Sequence, residues 1–475
     1  MVNSIKFGTD GWRGIIADDF TFDNVRICAQ AVADYLKQDG LHRQGLVIGY
    51  DTRFASEDFA AAAAEVLAGN GIKVHLCLKP APTPVVSFTV PAMESAGAII
   101  ITASHNPGSW NGFKYKSEDG ASAPEKLISR IEENIASLTS RGAGVKRLAL
   151  DKALKTGAVD YVDPSPLYFE RLSRLVDIEK LRRQKLNIVV DSMYGAGIGY
   201  FKSILQGGDL RVTEINGERN PSFPNIQPEP IARNLTKLSR SVVARKADVG
   251  LATDGDADRI GMIDERGQFL TQHQVFALLC LYLLEIRGER GPIIRTLTST
   301  VMLSRLGKLF DVPVHETAVG FKYVAPLMTK KKAIIGGEES GGYGFRGHVP
   351  ERDAILAGLY FLDFMAETGK TPSQLVEYLY SKVGPHYYDR RDFRISAAKR
   401  RAIVHRLGSS PPATIADSRV TKADTIDGFR FFLGEESWLL VRFSGTEPLV
   451  RIYAEAETLK RVGQLLDEGE KLIGL

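Results

Sequence analysis

The chain has 475 residues, which is too long for a single hydrophobic core and predicts three or four domains. Its content of 44% hydrophobic and 25% charged residues excludes a largely disordered protein, and its net charge of +4 argues against a dedicated nucleic-acid binder. Cys28, Cys77 and Cys280 each lie in an apolar run and are expected to be buried free thiols. No secretory signal is recognisable at the start, and the longest apolar run, residues 275–284, is half a membrane span. We therefore expect a soluble, cytoplasmic protein that binds neither nucleic acid nor a membrane.

The first segment with a chemical signature is the glycine-rich stretch at residues 6–16, KFGTDGWRGII. Its glycines allow a close backbone approach to a ligand, and Thr9, Asp10 and Arg13 could then meet phosphate or hydroxyl groups. A simple hairpin turn explains the same pattern equally well. Helices and strands then alternate, which predicts an α/β domain: a helix at 22–36, a strand at 46–50, a helix at 59–67 and a strand at 74–78.

The next apolar run, residues 98–101, stops abruptly at Thr-Ala-Ser-His-Asn-Pro, so a buried strand leads into a tight loop. Ligands in α/β sheets bind at the carboxyl ends of strands, which places Ser104 where chemistry usually occurs. A serine needs a neighbouring base, cation or metal to act as a nucleophile, and His105 and Lys114 are nearby in the sequence. The alternative is a surface turn that happens to contain serine and histidine.

A second block contains a predicted strand at 186–190 and another at 247–252, which opens into Thr-Asp-Gly-Asp-Ala-Asp-Arg. Asp254, Asp256 and Asp258 alternate, so an extended loop would place all three carboxylates on one side. Such closely spaced carboxylates repel one another and favour a bound cation. Oxygen ligands select Mg²⁺, or else Mn²⁺ or Ca²⁺, over zinc. The alternative is a solvated acidic turn.

A third block repeats this pattern, because a predicted strand at 333–335 leads into Gly-Gly-Glu-Glu-Ser-Gly-Gly. Glu338, Glu339 and Ser340 supply hydrogen-bond acceptors and a hydroxyl that suit a polyol such as a sugar, with Lys322 as a further candidate. Taken singly, each of these residues is as well explained by a surface or structural role.

The last part of the chain, after Gly384-Pro385, has alternating strands and a terminal helix, which predicts an α+β domain on an antiparallel sheet. Between two of its strands lies Arg442-Phe443-Ser444-Gly445-Thr446, whose guanidinium, hydroxyls and glycine-exposed amides form a pattern suited to phosphate. A hairpin turn with surface charge is the alternative.

Three strands that each end in a polar, glycine-rich loop predict three similar α/β domains, with mixed sheets, arranged with the α+β domain around a central cleft. The predicted boundaries are 1–150 for the serine domain, 160–265 for the aspartate domain, 266–383 for the GEESGG domain and 384–475 for the α+β domain.

Five segments in this order resemble the motifs of the α-D-phosphohexomutases, the phosphoglucomutase/phosphomannomutase family: GTDGWRG, TASHNP, DGDADR, GEESGG and RFSGTEP. The resemblance spans the whole chain and implies four domains around a cleft with a phosphoserine. It implies that Ser104 carries the phosphoryl group and that Mg²⁺ is held by this group and Asp254, Asp256 and Asp258. It further implies that catalysis is assisted by four other residues: Arg13, His105, Lys114 and Arg259.

The same resemblance implies a substrate-binding set. Glu338 and Ser340 would bind the 3- and 4-hydroxyls of the sugar, with Thr9 and Lys322 as further contacts. The non-reacting phosphate would be bound by five residues of the last domain: Arg442, Ser444, Gly445, Thr446 and Arg451.

The family resemblance implies an isomerase that interconverts hexose 1-phosphates and hexose 6-phosphates and is primed by hexose 1,6-bisphosphate. The GFK pattern around Lys322 is similar to phosphoglucomutases, and GEESGG differs from the GEQSGH type of phosphoglucosamine mutases. We therefore expect glucose phosphate as substrate. A phosphomannomutase or a dual enzyme is the first alternative, and a phosphoglucosamine mutase or a non-catalytic sugar-phosphate-binding protein ranks below it. The expected assembly is a monomer or a homodimer.

Overall fold

The computed structural model describes residues 5–8, 10–142, 144–434, 437–444 and 448–474. Within these residues the chain forms four main sheets in succession. The first three are mixed sheets with helices, and the fourth is antiparallel. The predicted fold class, three α/β domains followed by an α+β domain, is confirmed.

The first sheet has six strands and carries the serine loop. Its elements are β1 (Trp12–Ile15), α1 (Phe22–Gln38), β2 (Leu46–Tyr50), α2 (Ser56–Gly69), β3 (Val74–Cys77), α3 (Thr83–Ala92), β4 (Ala98–Ile101), β5 (Trp110–Lys116), α4 (Glu125–Arg141), α5 (Leu150–Lys155) and β6 (Val159–Val162). The strand order is β1-β5-β4-β2-β3-β6, with β4 and β2 parallel and β5 antiparallel to β4. All four residues of β4 are buried, as its apolar sequence predicts.

The second sheet has five strands in the order β11-β10-β9-β7-β8. Its elements are α6 (Ser165–Leu175), α7 (Ile178–Arg182), β7 (Asn187–Asp191), α8 (Tyr200–Leu205), β8 (Arg211–Ile215), α9 (Thr236–Arg245), β9 (Val249–Thr253), β10 (Ile260–Ile263) and β11 (Phe269–Leu270). The aspartate loop connects the antiparallel strands β9 and β10.

The third sheet has four strands in the order β13-β12-β14-β15. Its elements are α10 (Gln272–Leu281), β12 (Ile293–Thr296), α11 (Met302–Leu309), β13 (Val314–Thr317), α12 (Phe321–Lys331), β14 (Ile335–Gly337), β15 (Tyr343–Phe345), α13 (Ala354–Thr368) and α14 (Pro372–Val383). A capping box of Thr271 and Gln274 starts α10, which continues into a π-helical turn at Tyr282–Ile286.

The fourth sheet has five strands in the order β16-β22-β21-β20-β19. Its elements are β16 (Tyr387–Arg394), α15 (Ala397–Ser409), β17 (Thr414–Ile415), β18 (Ser418–Arg419), β19 (Lys422–Asp424), β20 (Phe429–Phe432), β21 (Trp438–Phe443), β22 (Leu449–Ala456) and α16 (Leu459–Leu472), with β17 and β18 forming a separate hairpin. One face of the sheet packs on its own helices through residues such as Val441 and Ile452. The other face meets the third domain, where Leu297 packs against Trp438 and Tyr453.

The division between the first two domains differs from the predicted one. Strand β6 pairs with β3, so the first sheet continues past the predicted end at residue 150 and includes residues 159–162. This short edge strand lacks a clear hydrophobic pattern in the sequence, because only one of its four residues, Val159, is buried.

The second and third domains share one hydrophobic core, which includes Phe201 from α8 and Leu279 from α10. A side chain added at Gly358 of α13 would meet the Phe201 ring at 2.6 Å, so this helix lies directly against the second domain. The three cysteines are buried and free, as expected. No helix in the described part of the chain combines the length and the apolar character that a membrane crossing requires.

Candidate active site

Ser104 lies just beyond β4 in a loop that is held by buried polar contacts. Its backbone has a φ of 54°, in the left-handed region, and its amide donates a hydrogen bond to Thr102 Oγ1 at 2.8 Å. The buried Arg53 guanidinium donates to the carbonyl oxygens of Ser104 at 2.6 Å and Asn106 at 2.7 Å, and it also pairs with Asp51. The serine is thus placed by a rigid framework, which supports a positioned nucleophile more than a loose surface turn.

The Ser104 side chain connects the first domain to the aspartate loop of the second. Its hydroxyl donates to Asp254 Oδ2 at 3.0 Å and lies 3.3 Å from His105 Nδ1. A side chain at Gly255 would meet the Ser104 carbonyl oxygen at 2.4 Å, so a glycine is required for the two loops to approach this closely. Burial and the nearby cations Arg259 and Arg13 lower the pKa of His105 well below its ordinary value, which keeps the imidazole neutral near pH 7.

The three predicted metal ligands come together at the end of β9. Asp254, Asp256 and Asp258 are buried, and one carboxylate oxygen of each lies within 4.8 Å of the others. The prediction of an extended loop was wrong in its geometry, because the segment is a tight turn in which Ala257 has a φ of 54°. Asp254 Oδ1 closes the turn by accepting hydrogen bonds from the amides of Asp258 and Arg259 at 3.0 and 3.1 Å.

This carboxylate cluster fits a divalent cation. Burial, together with the carboxylates of Asp258 and Asp256, raises the pKa of Asp254 well above its ordinary value. A bound cation would relieve the repulsion between these carboxylates. Within the described part of the chain, Asp256 Oδ1 and Asp258 Oδ1 are buried and accept no hydrogen bond. Buried carboxylate oxygens without donors are expected at a site for a hard cation such as Mg²⁺.

Lys114 lies on β5 and is 1% exposed. Its ammonium is 2.7 Å from Asp10 Oδ2, 2.9 Å from Asp256 Oδ2 and 3.7 Å from Asp258 Oδ2. Burial lowers the pKa of Lys114, but these three carboxylates outweigh that effect and raise it, so the ammonium stays charged. The sequence-predicted lysine is therefore brought directly to the metal ligands.

The two predicted arginines of this region contact the aspartate loop and the serine loop, respectively. Arg259 Nε is 3.8 Å from Asp258 Oδ1, and Arg13 donates to Asn106 Oδ1 at 2.6 Å. Arg13 thus belongs to the site through the TASHNP loop.

Sequence reasoning missed Arg352, which precedes α13 in the third domain. Its NH2 group is 2.6 Å from Asp258 Oδ2 and 2.9 Å from Asp10 Oδ2, and its NH1 group donates to Glu338 Oε2 at 3.3 Å. One buried guanidinium therefore links loops from three domains. The available signal was the charged triplet Glu351-Arg352-Asp353 immediately before a predominantly apolar helix.

The GEESGG loop follows β14 and turns back into β15. Glu338 is buried, and burial raises its pKa even though Arg352 and Arg259 oppose the shift. The Ser340 hydroxyl is buried and makes no hydrogen bond within the described residues, which is the state expected of a group that awaits a polar ligand. Lys322 lies in the first turn of α12, and its ammonium is 2.8 Å from Glu125 of α4, so it forms an ion pair between the third and first domains.

The predicted phosphate-binding residues lie on adjacent strands of the fourth sheet. Arg442 of β21 is directly opposite Arg451 of β22. Two like charges at opposed positions destabilise a sheet unless counter-charges are supplied, and here Asp427 pairs with Arg442 while Asp392 pairs with Arg451. Ser444 follows β21 and is buried. Thr9, Gly445 and Thr446 lie outside the described residues.

Comparisons with known proteins agree with this architecture. Models of the phosphoglucomutase/phosphomannomutase family match along the chain, with alpha/beta/alpha domain I at residues 4–142, domain II at 166–267, domain III at 271–383 and the C-terminal domain at 405–471. A phosphoglucomutase/phosphomannomutase of Thermococcus kodakarensis is 32% identical over 98% of both chains. A probable phosphoglucosamine mutase of Methanothermobacter thermautotrophicus is 33% identical over 95% of this chain and 94% of that protein.

Solved structures show the same similarity. The crystal structure of a putative phosphomannomutase from Thermus thermophilus superposes with a TM-score of 0.86 at 35% identity and covers all of both chains. A family protein from Burkholderia thailandensis, at 22% identity and a TM-score of 0.84, shares the fold and covers 98% of its own chain and all of this one.

Proposed function

Because the chain belongs to the phosphoglucomutase/phosphomannomutase family, we propose that it interconverts hexose 1-phosphates and hexose 6-phosphates, with glucose phosphates as principal substrates. The observation that carries this proposal is the contact of Ser104 Oγ with Asp254 Oδ2, at the edge of three buried carboxylates and beside the Lys114 ammonium. A nucleophilic hydroxyl, a cation site and a fixed positive charge are the parts that phosphoryl transfer requires.

In the proposed reaction a phosphoryl group on Ser104 passes to the free hydroxyl of a hexose monophosphate. The bond between Oγ and phosphorus breaks, a bond between phosphorus and the sugar oxygen forms, and the hydroxyl proton passes to a base. We assign this role to the neutral imidazole of His105, whose Nδ1 is 3.3 Å from Oγ. Reversal of this step with the other phosphate of the resulting hexose 1,6-bisphosphate restores the phosphoserine and releases the isomer.

The residues around the serine would stabilise the charge that moves during transfer. Asp254, Asp256, Asp258 and the phosphorylated Ser104 would hold Mg²⁺, which when bound neutralises negative charge on the phosphoryl oxygens. Lys114 is held by its carboxylate partners and needs no reorganisation to present its ammonium. Arg13 and Arg259 would add guanidinium donors to the same site.

The third and fourth domains would bind the rest of the substrate. Glu338 and Ser340 would accept and donate hydrogen bonds to a pair of sugar hydroxyls, and Arg442 and Arg451 would hold the phosphate that does not react. Because the described residues provide one such serine and one such pair of arginines, the bisphosphate would turn over between the two transfer steps. The same arginine pair would then bind either phosphate.

Glucose is proposed over other hexoses because of the loop sequences. GEESGG lacks the glutamine and histidine of the GEQSGH type, although several similar proteins are named phosphoglucosamine mutases. Mannose shares the equatorial 3- and 4-hydroxyls with glucose, so a dual glucose and mannose specificity is the alternative.

The test is a coupled assay of the purified protein with Mg²⁺ and glucose 1,6-bisphosphate on the 1-phosphates of glucose, mannose and glucosamine. We expect the highest kcat/KM with glucose, measurable turnover of mannose and the lowest value with glucosamine. A preference for glucosamine would overturn the substrate assignment. Binding of sugar phosphates without turnover of any would indicate a non-catalytic binding protein, and release of free phosphate instead of the isomer would indicate a phosphatase.

A further inference from the structure

Glu339 is the residue of the GEESGG loop that points away from the metal site and into the fourth domain. Its Oε1 accepts a hydrogen bond from Tyr388 OH at 3.1 Å and from Arg390 NH1 at 3.0 Å, both on β16. The Glu339 side chain is 14% exposed, so this pair is partly desolvated and stronger than an ion pair in open solvent. Its neighbours Glu338 and Ser340 have no such bond to the fourth domain among the contacts that the structure describes.

The strand register shows where this contact lies relative to the proposed phosphate site. Arg390 is opposite Tyr453, and the next row on the same face contains Asp392, Arg451 and Arg442. Residues two apart on a strand lie on the same face of the sheet. Glu339 therefore contacts the face of the fourth sheet that carries the two proposed phosphate-binding arginines, in the row next to theirs. Arg390 also lies over the Tyr453 ring at 5.9 Å. Burial lowers the pKa of Arg442, but Tyr453 and Asp427 outweigh this effect and raise it.

The loop before α12 makes a second connection between the third and fourth domains. The Val319 amide donates to Asp427 Oδ2 at 3.2 Å, and this same oxygen accepts from Arg442 Nε at 2.9 Å. Two loops of the third domain therefore hold the sheet face on which the arginine pair lies.

We propose that Glu339 is a positioning residue that fixes the distance between the sugar-binding loop and the phosphate-binding arginines through Arg390 and Tyr388. This rests on the proposed function, since it assigns the two ends of one substrate to the third and fourth domains. Glu339 itself contacts no sugar in this account. It fixes the distance between Glu338 and Ser340, which would bind the hydroxyls, and the arginine pair Arg442 and Arg451, which would bind the phosphate.

Two further contacts hold the same domains together but lie farther along the interface. The buried Glu455 accepts from Thr300 Oγ1, the Val301 amide and Trp438 Nε1, and Arg430 pairs with Glu316. Neither contact includes Glu339, so its substitution is expected to loosen one part of the interface and leave the domains attached. The expected effect is on substrate binding and not on folding.

The test is a double-mutant cycle with Glu339→Ala, Arg390→Ala and the pair, measuring KM and kcat for glucose 1-phosphate and glucose 6-phosphate. Each single variant is expected to raise both KM values by about tenfold, and the double variant to be no worse than either single one. Glu339→Gln, which keeps an acceptor, and Tyr388→Phe, which removes one hydroxyl, should have smaller effects in the same direction. Arg391→Ala is the matched control, because Arg391 lies on the opposite face of β16 and pairs with Asp467 and Glu470 of α16.

Additive effects of the two alanine substitutions on KM would overturn the proposal. A raised KM in Glu339→Ala with a normal KM in Arg390→Ala would also overturn it, because that pattern is expected if Glu339 binds the sugar directly. Amide hydrogen exchange provides a readout that does not depend on activity. Glu339→Ala should speed exchange in the peptides of the GEESGG loop and β16, while Arg391→Ala should leave the GEESGG loop unchanged. If the wild type has no mutase activity, the proposed function fails, and this exchange experiment alone decides whether Glu339 fixes the two domains. Unchanged exchange in the Glu339 variant would refute it.

Discussion

Lys116 and Glu351 form a fully buried ion pair between the first and third domains, and its removal is a quantitative test of how the site is supported. Both side chains are 0% exposed, and the Lys116 ammonium donates to Glu351 Oε2 and, at 2.9 Å, to Ser122 Oγ. Glu351 Oε1 accepts from the Arg352 amide at 2.9 Å, and Lys116 lies 3.6 Å from Asp10 Oδ1. The pair thus fixes Arg352, which contacts Asp258, and Asp10, which contacts Lys114 and Arg352.

Glu351→Gln should leave the buried ammonium of Lys116 without its main counter-charge, which costs about 3–5 kcal/mol of unfolding free energy. The double variant Lys116→Met with Glu351→Leu removes both charges and should recover most of that loss, because the desolvation cost of the pair disappears with its attraction. The catalytic rate should fall in both, since each leaves Asp10 and Arg352 less firmly held.

The assay is urea unfolding followed by tryptophan fluorescence, because Trp12 and Trp110 lie on β1 and β5 of the first domain. Arg147→Ala serves as the control, as it breaks an ion pair with Glu65 whose arginine is 46% exposed and should cost about 1 kcal/mol or less. A Glu351→Gln variant that loses no more than this control, with additive effects in the double variant, would refute the assignment of a desolvated interdomain pair.

Three further predictions concern the metal, the phosphate and the interface. Asp256→Asn should weaken Mg²⁺ binding and reduce turnover by orders of magnitude, and EDTA should abolish wild-type activity until Mg²⁺ is restored; full activity after chelation would contradict the metal site. Arg442→Ala should raise KM for both the 1- and the 6-phosphate by about tenfold or more, and a loss for one isomer alone would show two separate phosphate sites. Burial lowers the pKa of His273 from 6.5 to about 4, so its neutral form stabilises the fold at higher pH, and about 3 kcal/mol should be lost as pH falls from 6.5 towards 4. His273→Phe, which keeps a ring against Tyr388, should reduce this pH dependence in thermal unfolding, and an unchanged profile would contradict it.

The apolar strands were predictable because a strand that is buried on both faces has a continuous run of apolar residues. The run at 98–101 coincides with β4, and the predicted strand at 46–50 coincides with β2. Strand β5 escaped prediction because its sequence, WNGFKYK, contains two lysines that are both buried in ion pairs. Helix α15 was not predicted because its sequence is rich in basic residues and only Ile403 and Leu407 are buried. In both cases tertiary contacts overrode the hydropathy pattern.

The candidate site was predictable where a short segment carries all the chemistry. Ser104 and the three aspartates lie in two contiguous loops, and the structure brings these loops into contact through Ser104 Oγ and Asp254. Arg352 was not predictable in this way, because its role depends on three partners that lie in three different domains. The same holds for Glu339, whose partners on β16 are about fifty residues away in the sequence.

Intact-mass analysis of the protein after incubation with glucose 1,6-bisphosphate and Mg²⁺, followed by peptide mapping, tests directly whether Ser104 carries the phosphoryl group. We expect one phosphoryl group per wild-type chain, located in the peptide that contains Ser104. Ser104→Ala should fold normally, because a loop hydroxyl supports no hydrophobic core, but it should take up no phosphoryl group and have no mutase activity. A Ser104→Ala protein that is phosphorylated or active would show that Ser104 is not the phosphoryl carrier.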